Sequence, residues 1–296
     1  MSGTADQRKL AFAIAYRMLG SVAEAEDVAQ EALLRLHAAT GVENPPGFVT
    51  TAATRLAIDV LRSARVRREA YTGSWLPEPL VEEEAPRRVE DEESVSLAFL
   101  VLLERLGPDE RAVLVLRESF DYPFSEIAEI VGKSEANCRQ ILARARRRID
   151  EERPRFDADP QDRRTLAARF LAAARDGDMD GLVVLLAPNA VLVGDGGGKA
   201  RAIRAPMVGG ARIARAFVTF HRQAVEWGLT FEPVLVNGQP GFRSRAPDGR
   251  LVNVVGFDVA GGAVQRIHSI LNPDKLGHLG PLSDVALVPV RATEPG

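Results

Sequence analysis

Between Ser134 and Arg148 the chain gathers hydrogen-bonding side chains of one kind of use. Ser134, Glu135, Asn137, Arg139 and Gln140 come first, and Arg144, Arg146, Arg147 and Arg148 follow. Residues of the first group can read base edges, and guanidinium groups like those of the second suit phosphate oxygens. A second basic stretch holds Arg55, Arg62, Arg65, Arg67 and Arg68, with Asp59 among them, just after Asn44-Pro45-Pro46-Gly47-Phe48. Arginine and glutamine are also good surface helix formers, so either stretch alone also reads as a solvated helix. Two basic helices in one chain suggest a protein that touches one duplex at two places.

Covalent chemistry finds less support. His221, Asp258 and His268 could line a cavity as acid and base, but no local spacing ties them together. Asp195-Gly196-Gly197-Gly198-Lys199 has a phosphate-loop look, yet Val193 stands where the first glycine of a Walker A motif belongs and Ala200 where its Ser/Thr belongs. It reads either as a glycine-rich turn between strands or as a contact site for another part of the chain. One cysteine, Cys138, excludes an intramolecular disulfide and a Cys-rich zinc site. The residues specify no metal, no cofactor and no enzyme.

The elements that must hold the basic groups are helical. Ser125 to Val131 is a short amphipathic stretch that Gly132 ends, and Ser134 caps a second helix, Glu135 to Arg148. Ile127, Ala128 and Val131 can pack on Cys138, Ile141 and Leu142, which is the geometry of a helix-turn-helix. Helical spacing also runs from Gln7 to about Ala70, broken at Gly41–Gly47, and from Ser94 to about Arg153, broken at Gly107-Pro108 and Tyr122-Pro123.

Between these zones, residues 71–93 form an acidic linker that Gly73, Pro77, Pro79 and Pro86 keep from being helical. Acidic tethers are usually solvated. Trp75-Leu76-Pro77-Glu78-Pro79-Leu80 departs from that, because large apolar residues in such a tether tend to dock. Beyond Asp157, helices at Asp162–Arg175 and Asp180–Leu186 precede β-rich runs at Ala190–Val193, Leu229–Val236, Leu251–Val259 and Val264–Leu271, with an amphipathic helix, Ala211–Trp227, between the first two runs. Asp248-Gly249 and Gly261-Gly262 are hairpin signals. That is an α+β domain with a mostly antiparallel sheet.

The chain has 296 residues, a 46% apolar and 27% charged composition, and a net charge of −3. This suits two or three folded domains and excludes wholesale disorder. No apolar run approaches the roughly 18 residues a membrane span needs, and the N-terminus lacks a signal-peptide core, so a soluble cytoplasmic protein is expected.

Three segments resemble a known family. Leu19-Gly20-Ser21 through Gln30-Glu31-Ala32 is similar to the first conserved region of extracytoplasmic-function (group 4) sigma factors, Asn44 to Glu69 to the rest of their σ2 domain, and Leu106-Gly107-Pro108 through Arg148 to σ4. The second half resembles the SnoaL-like, NTF2-type cone fused to one sigma subgroup, on Trp75–Leu80, Asp195–Lys199 and Asn272-Pro273-Asp274-Lys275-Leu276.

The resemblance implies a multi-domain fold: two all-α sigma domains (σ2, 1–70; σ4, 94–153), then an α+β cone with a curved, mostly antiparallel sheet at 160–276. A tail follows at 277–296, for which no role is read. It implies that Asp27, Gln30 and Glu31 dock on the core RNA polymerase β′ subunit, with β completing the partner. It implies that Asn44 and Phe48 accept a flipped −10 base, that Arg55, Asp59, Arg62 and Arg65 border the −10 backbone, and that the helix from Ser134 reads the −35 element of promoter DNA. The linker would thread the RNA-exit region. Trp75, Leu76, Pro77, Pro79, Leu80, the Asp195–Lys199 run (Gly196, Gly197, Gly198) and Asn272, Pro273, Asp274, Lys275 and Leu276 would make regulatory contacts within the chain. The fused domain, contacting σ2 and the linker, would replace a separate anti-sigma factor, with a small ligand in the cone as a further partner and no membrane role. The alternative is a DNA-binding regulator with a ligand-sensing or catalytic cone, working without polymerase.

Overall fold

The computed structural model describes residues 2–69, 71–83, 95–150 and 160–286. They fall into two compact units, Met1–Ala70 with Ala98–Arg153, and Tyr71–Leu97 with Pro154–Gly296. The acidic run from Glu84 to Glu93 lies outside the described residues.

In the first unit, α1 (Ser2–Leu19), α2 (Val22–Ala38) and α3 (Pro45–Glu69) pack on one another. The Ser21 hydroxyl starts α2 by accepting from the Glu24 amide at 3.2 Å. Ala25, Val28, Ala29 and Ala32, at helical spacing, turn the small-residue face of α2 inward. Four further helices follow: α4 (Leu97–Leu103), α5 (Pro108–Glu118), α6 (Phe124–Val131) and α7 (Glu135–Asp150). Pro108 opens α5, and the Glu110 carboxylate reaches back to the Gly107 amide at 3.0 Å. Gly132 ends α6 with φ +66°, a left-handed conformation that suits glycine. Ser134 then accepts the Asn137 amide at 3.2 Å and starts α7. Ile127, Ala128 and Ile130 are the buried residues of α6, opposite buried Cys138, Ile141 and Leu142. Val131, the last helical residue before the turn, is partly exposed.

The second unit is a seven-stranded, mostly antiparallel sheet. Its strands are β1 (Val81–Glu83), β2 (Leu186–Asp195), β3 (Met207–Val208), β4 (Thr230–Val236), β5 (Gln239–Arg245), β6 (Leu251–Ala260) and β7 (Ala263–Ile270). Their order is β1-β4-β5-β6-β7-β2-β3, and only the β2–β7 pair is parallel. Helices α8 (Pro160–Asp176), α9 (Met179–Leu185) and α10 (Gly210–Glu226) bury apolar residues against one face. There Phe170 meets the Phe217 and Phe257 rings at centroid distances of 4.9 and 5.1 Å. Strand side chains alternate, so Gly256 faces the other way, where a Cβ would stand 3.2 Å from Leu97. The short helix α11 (Pro273–Leu276) completes the unit.

The linker is thus part of the sheet: β1 adds an edge strand to β4, pairing Val81 with Val236 and Glu83 with Val234. The tail after Leu276 is partly used as well. The Leu251 amide donates to Pro281 O, and Ser283 N donates to Leu251 O. Among the described residues no helix is long and apolar enough to cross a membrane, and no group of three or more His, Cys, Asp or Glu is placed to hold a metal.

Candidate functional site

The exposed face of α7 carries Glu135, Asn137, Arg139, Gln140 and Arg144 in chain order. Arg139 pairs with Glu135 at 2.6 Å and lies over the Phe124 ring at 5.0 Å, so its fork is held at the start of the helix. Arg146 pairs with Glu118, and Arg148 with Glu110 at 2.8 Å; both acids lie on α5. Arg144 makes no ion pair among the described residues, and the Arg147 Nε donates to Ala143 O at 3.3 Å. The basic helix is therefore divided, with two arginines turned back to brace α5. Burial pushes the Cys138 thiol up, which suits its place on the buried face of α7.

On α2, Asp27 and Gln30 are exposed, and Glu31 pairs with Arg35 at 2.8 Å. Leu34, one turn beyond Gln30, is 56% exposed and extends the same face. Asn44 is used locally, accepting the Gly47 amide at 3.1 Å to start α3, and Phe48 behind it is half-buried. Asp59 lies 3.5 Å from Arg62. Arg62 also donates to Asp109 at 3.2 Å, and Arg55 donates to two α6 carbonyls, Ile130 O and Glu129 O, each at 3.0 Å. The side chain of Arg65 lies outside the described residues.

The second unit contains the most connected polar cluster. Asp195 ends β2 fully buried, and its carboxylate accepts from four sides. Tyr71 Oη donates at 2.5 Å, the Leu76 amide at 2.8 Å, the Gly197 amide at 3.0 Å and Lys275 Nζ at 2.6 Å. Lys275 also donates to Leu76 O, and its ammonium stands 4.2 Å from the Trp75 ring centroid and 4.8 Å from that of Tyr71. Asn272 caps α11 and donates to Tyr71 Oη at 2.7 Å. Gly197 sits at φ +58° with a Cβ direction blocked by the Asn272 side chain, so glycine is required there on both counts. Lys199 is outside this centre and pairs with Asp274 at 2.7 Å on the surface.

The cluster gathers Trp75, Leu76, Asp195, Gly197, Asn272 and Lys275. Leu76 and Leu276 are buried to 0% and 1% exposure. Pro77 and Pro79 are buried as well, and His278 Nε2 meets Pro79 O at 2.9 Å. Further along the linker, Leu80 N donates to the Asn237 side chain at 3.0 Å, and Asn237 donates to Val95 O at 3.0 Å. Tyr71, Asn237 and His278 were not singled out from the sequence. Asn237-Gly238 is a strong hairpin dipeptide and could have flagged that position; Tyr71 and His278 carry no local signal. Burial and the Asp195 hydrogen bond both push the Tyr71 phenol well above its usual range.

Of the three groups considered as acid and base, two meet and the third lies apart. Asp258 and His268 form a buried pair at 2.7 Å. Asp258 neighbours inward-facing Phe257 in a strand and so points to the opposite face. His221 lies on α10 against the Phe231 ring.

The chain's relatives agree with this layout. Sigma-70 region 2 matches residues 5–67, and Sigma-70 region 4 matches residues 96–149. The ECF RNA polymerase sigma factor SigJ of Mycobacterium tuberculosis (strain H37Rv) is 37% identical over 287 residues, covering 90% of each chain. A probable ECF sigma factor, SigI, from the CDC 1551 strain of that species is 34% identical over 275 residues, covering 90% of this chain and 91% of its own. The crystal structure of M. tuberculosis SigJ superimposes with a TM-score of 0.77 at 32% identity, covering 95% of this chain and 99% of that one. An arginine-bearing helix-turn-helix, a region 2 bundle and near full-length relatives of one kind lead to a single conclusion: the chain belongs to the extracytoplasmic-function RNA polymerase sigma factors, which bind core polymerase and direct transcription from promoters, and it is not an enzyme.

Proposed function

We propose that this sigma factor is controlled in cis, its C-terminal domain holding the linker that joins region 2 to region 4. The buried Lys275–Asp195 pair closed over Leu76 carries the reading. A buried ion pair is kept only where its geometry and hydrogen bonds are complete, and here both partners reach the linker. A linker bound to the sheet is not free to thread polymerase, so whatever favours polymerase binding must release it. A signal can shift that balance only by its differential affinity for the two forms.

In the open form, Asp27, Gln30 and Glu31 would meet the β′ subunit. Asn44, Phe48, Arg55, Asp59, Arg62 and Arg65 would serve the −10 element. Ser134, Glu135, Asn137, Arg139, Gln140, Arg144, Arg146 and Arg147 would serve the −35 element, and no separate anti-sigma factor is required. Replacing Trp75 and Leu76 by alanine tests this. Run-off transcription with reconstituted holoenzyme is expected to rise and the linker to become protease-sensitive; unchanged values for both would defeat the reading.

A further inference from the structure

Arg55 and Arg62 lie seven residues apart on α3 and so share one face. That face is filled from within the same unit. The last turn of a helix leaves carbonyls without intrahelical partners, and its end carries partial negative charge. In α6, the Gly132 and Lys133 amides both return to Ala128 O, leaving Glu129 O and Ile130 O to the fork of Arg55. Asp109, in the first turn of α5, takes Arg62 on Oδ1 at 3.2 Å and Lys133 on Oδ2 at 2.8 Å. The buried Thr50 hydroxyl shares a hydrogen bond with Tyr122 Oη at 2.8 Å, and buried Arg111 donates to Met18 O at 2.6 Å.

We propose that the α6 C-terminus and Asp109 act as an internal stand-in for DNA phosphate. They clasp region 4 onto region 2 through the arginines that region 2 would give to the −10 strand. The inference rests on assigning Arg55 and Arg62 to that strand. Two carbonyl oxygens at a helix end and one carboxylate offer a guanidinium what a phosphodiester offers, acceptors with negative charge. Promoter DNA and the clasp therefore compete for the same groups, and the chain masks its own −10 surface by bonds that involve no residue of the C-terminal domain.

Asp109→Asn with Tyr122→Phe weakens the clasp while sparing every residue assigned to DNA or polymerase. Spin labels at His37→Cys and Glu126→Cys, in a Cys138→Ser background, report the region 2 to region 4 distance in the full chain. The expected result is a longer, broader distance distribution and, with core polymerase on a promoter fork, about a tenfold fall in the half-saturating chain concentration. Thr50→Val, which removes the Tyr122 hydrogen bond from the other side, should lengthen the distance too. Unchanged distances in both variants would overturn the clasp. Arg55→Ala should open the distance and yet shorten open-complex lifetime. If it opens the distance and lengthens that lifetime, the clasp stands as a contact but Arg55 is no DNA ligand, and the phosphate stand-in is overturned.

Discussion

Asp195 ends a strand fully buried, and a carboxylate there is tolerable only because four donors converge on it. Asp195→Ala would leave the Lys275 ammonium buried without its carboxylate. Breaking such a pair from one side costs about 3–5 kcal/mol, whereas replacing both partners by groups of similar volume often costs little. Asp195→Ala is therefore expected to release the linker, and Asp195→Asn with Lys275→Met to recover part of the docking. Trp75 fluorescence in a Trp227→Phe background reads both. Tyr71 supplies a pH signature. Its phenol is held neutral in the docked state by burial and by Asp195, so its docked pKa lies above the ordinary value of about 10. Its contribution is complete below about pH 10 and is lost as pH climbs beyond, because the released linker then gains by ionising. Linker release should steepen above about pH 10, and Tyr71→Phe should flatten that rise in the same fluorescence titration. The glycine-rich run and the Asn-Pro-Asp-Lys-Leu run stood out only through the family resemblance. The pairing of Asp195 with Lys275 was not legible, since the two are brought together only by the parallel β2–β7 register and the turn into α11.

At the scale of elements, the helices declared themselves through spacing and caps, and the helix-turn-helix through Gly132 and Ser134. The sheet was half legible. β4, β6 and β7 are runs of β-formers, but β5 contains Pro240-Gly241 and reads as a break. Gly241 is there because a Cβ would run into the Val255 carbonyl and the Val236 side chain, a demand set by neighbouring strands and invisible along the chain. β1 is three residues of an acidic linker and becomes a strand only because the β4 edge is open to it. Asn237 secures it from the β4–β5 turn at φ +52°, a conformation asparagine tolerates, while its amide bridges Leu80 and Val95. Asn237→Gly keeps that conformation and removes both side-chain bonds, so the hairpin should survive and the linker strand fray. About 1–3 kcal/mol of linker docking is at stake. Amide exchange at Val81–Glu83 should accelerate while that of β6 and β7 stays unchanged; equal acceleration throughout the sheet would mean the residue holds the hairpin and not the linker.

For the whole molecule, the order of modules was readable, and docking of the linker through Trp75–Leu80 was expected; a segment that separates two sigma regions in sequence belongs structurally to the third domain. The consequence is two restraints built from different residues. One holds the linker through Asp195 and Lys275; the other holds region 4 on region 2 through Arg55, Arg62 and Asp109. They share no side chain, and substitutions at sites without shared partners usually add in free energy. Asp195→Ala and Asp109→Asn with Tyr122→Phe should each raise transcription at limiting sigma concentration, and the combined chain should show the product of the two gains. That product is bounded, because a population shift cannot exceed complete opening. Run-off transcription over a series of chain concentrations, wild type against the three variants, measures it. A combined gain no larger than that of Asp195→Ala alone, well short of saturation, would mean that releasing the linker already frees region 4 and that the two sets of bonds act as one.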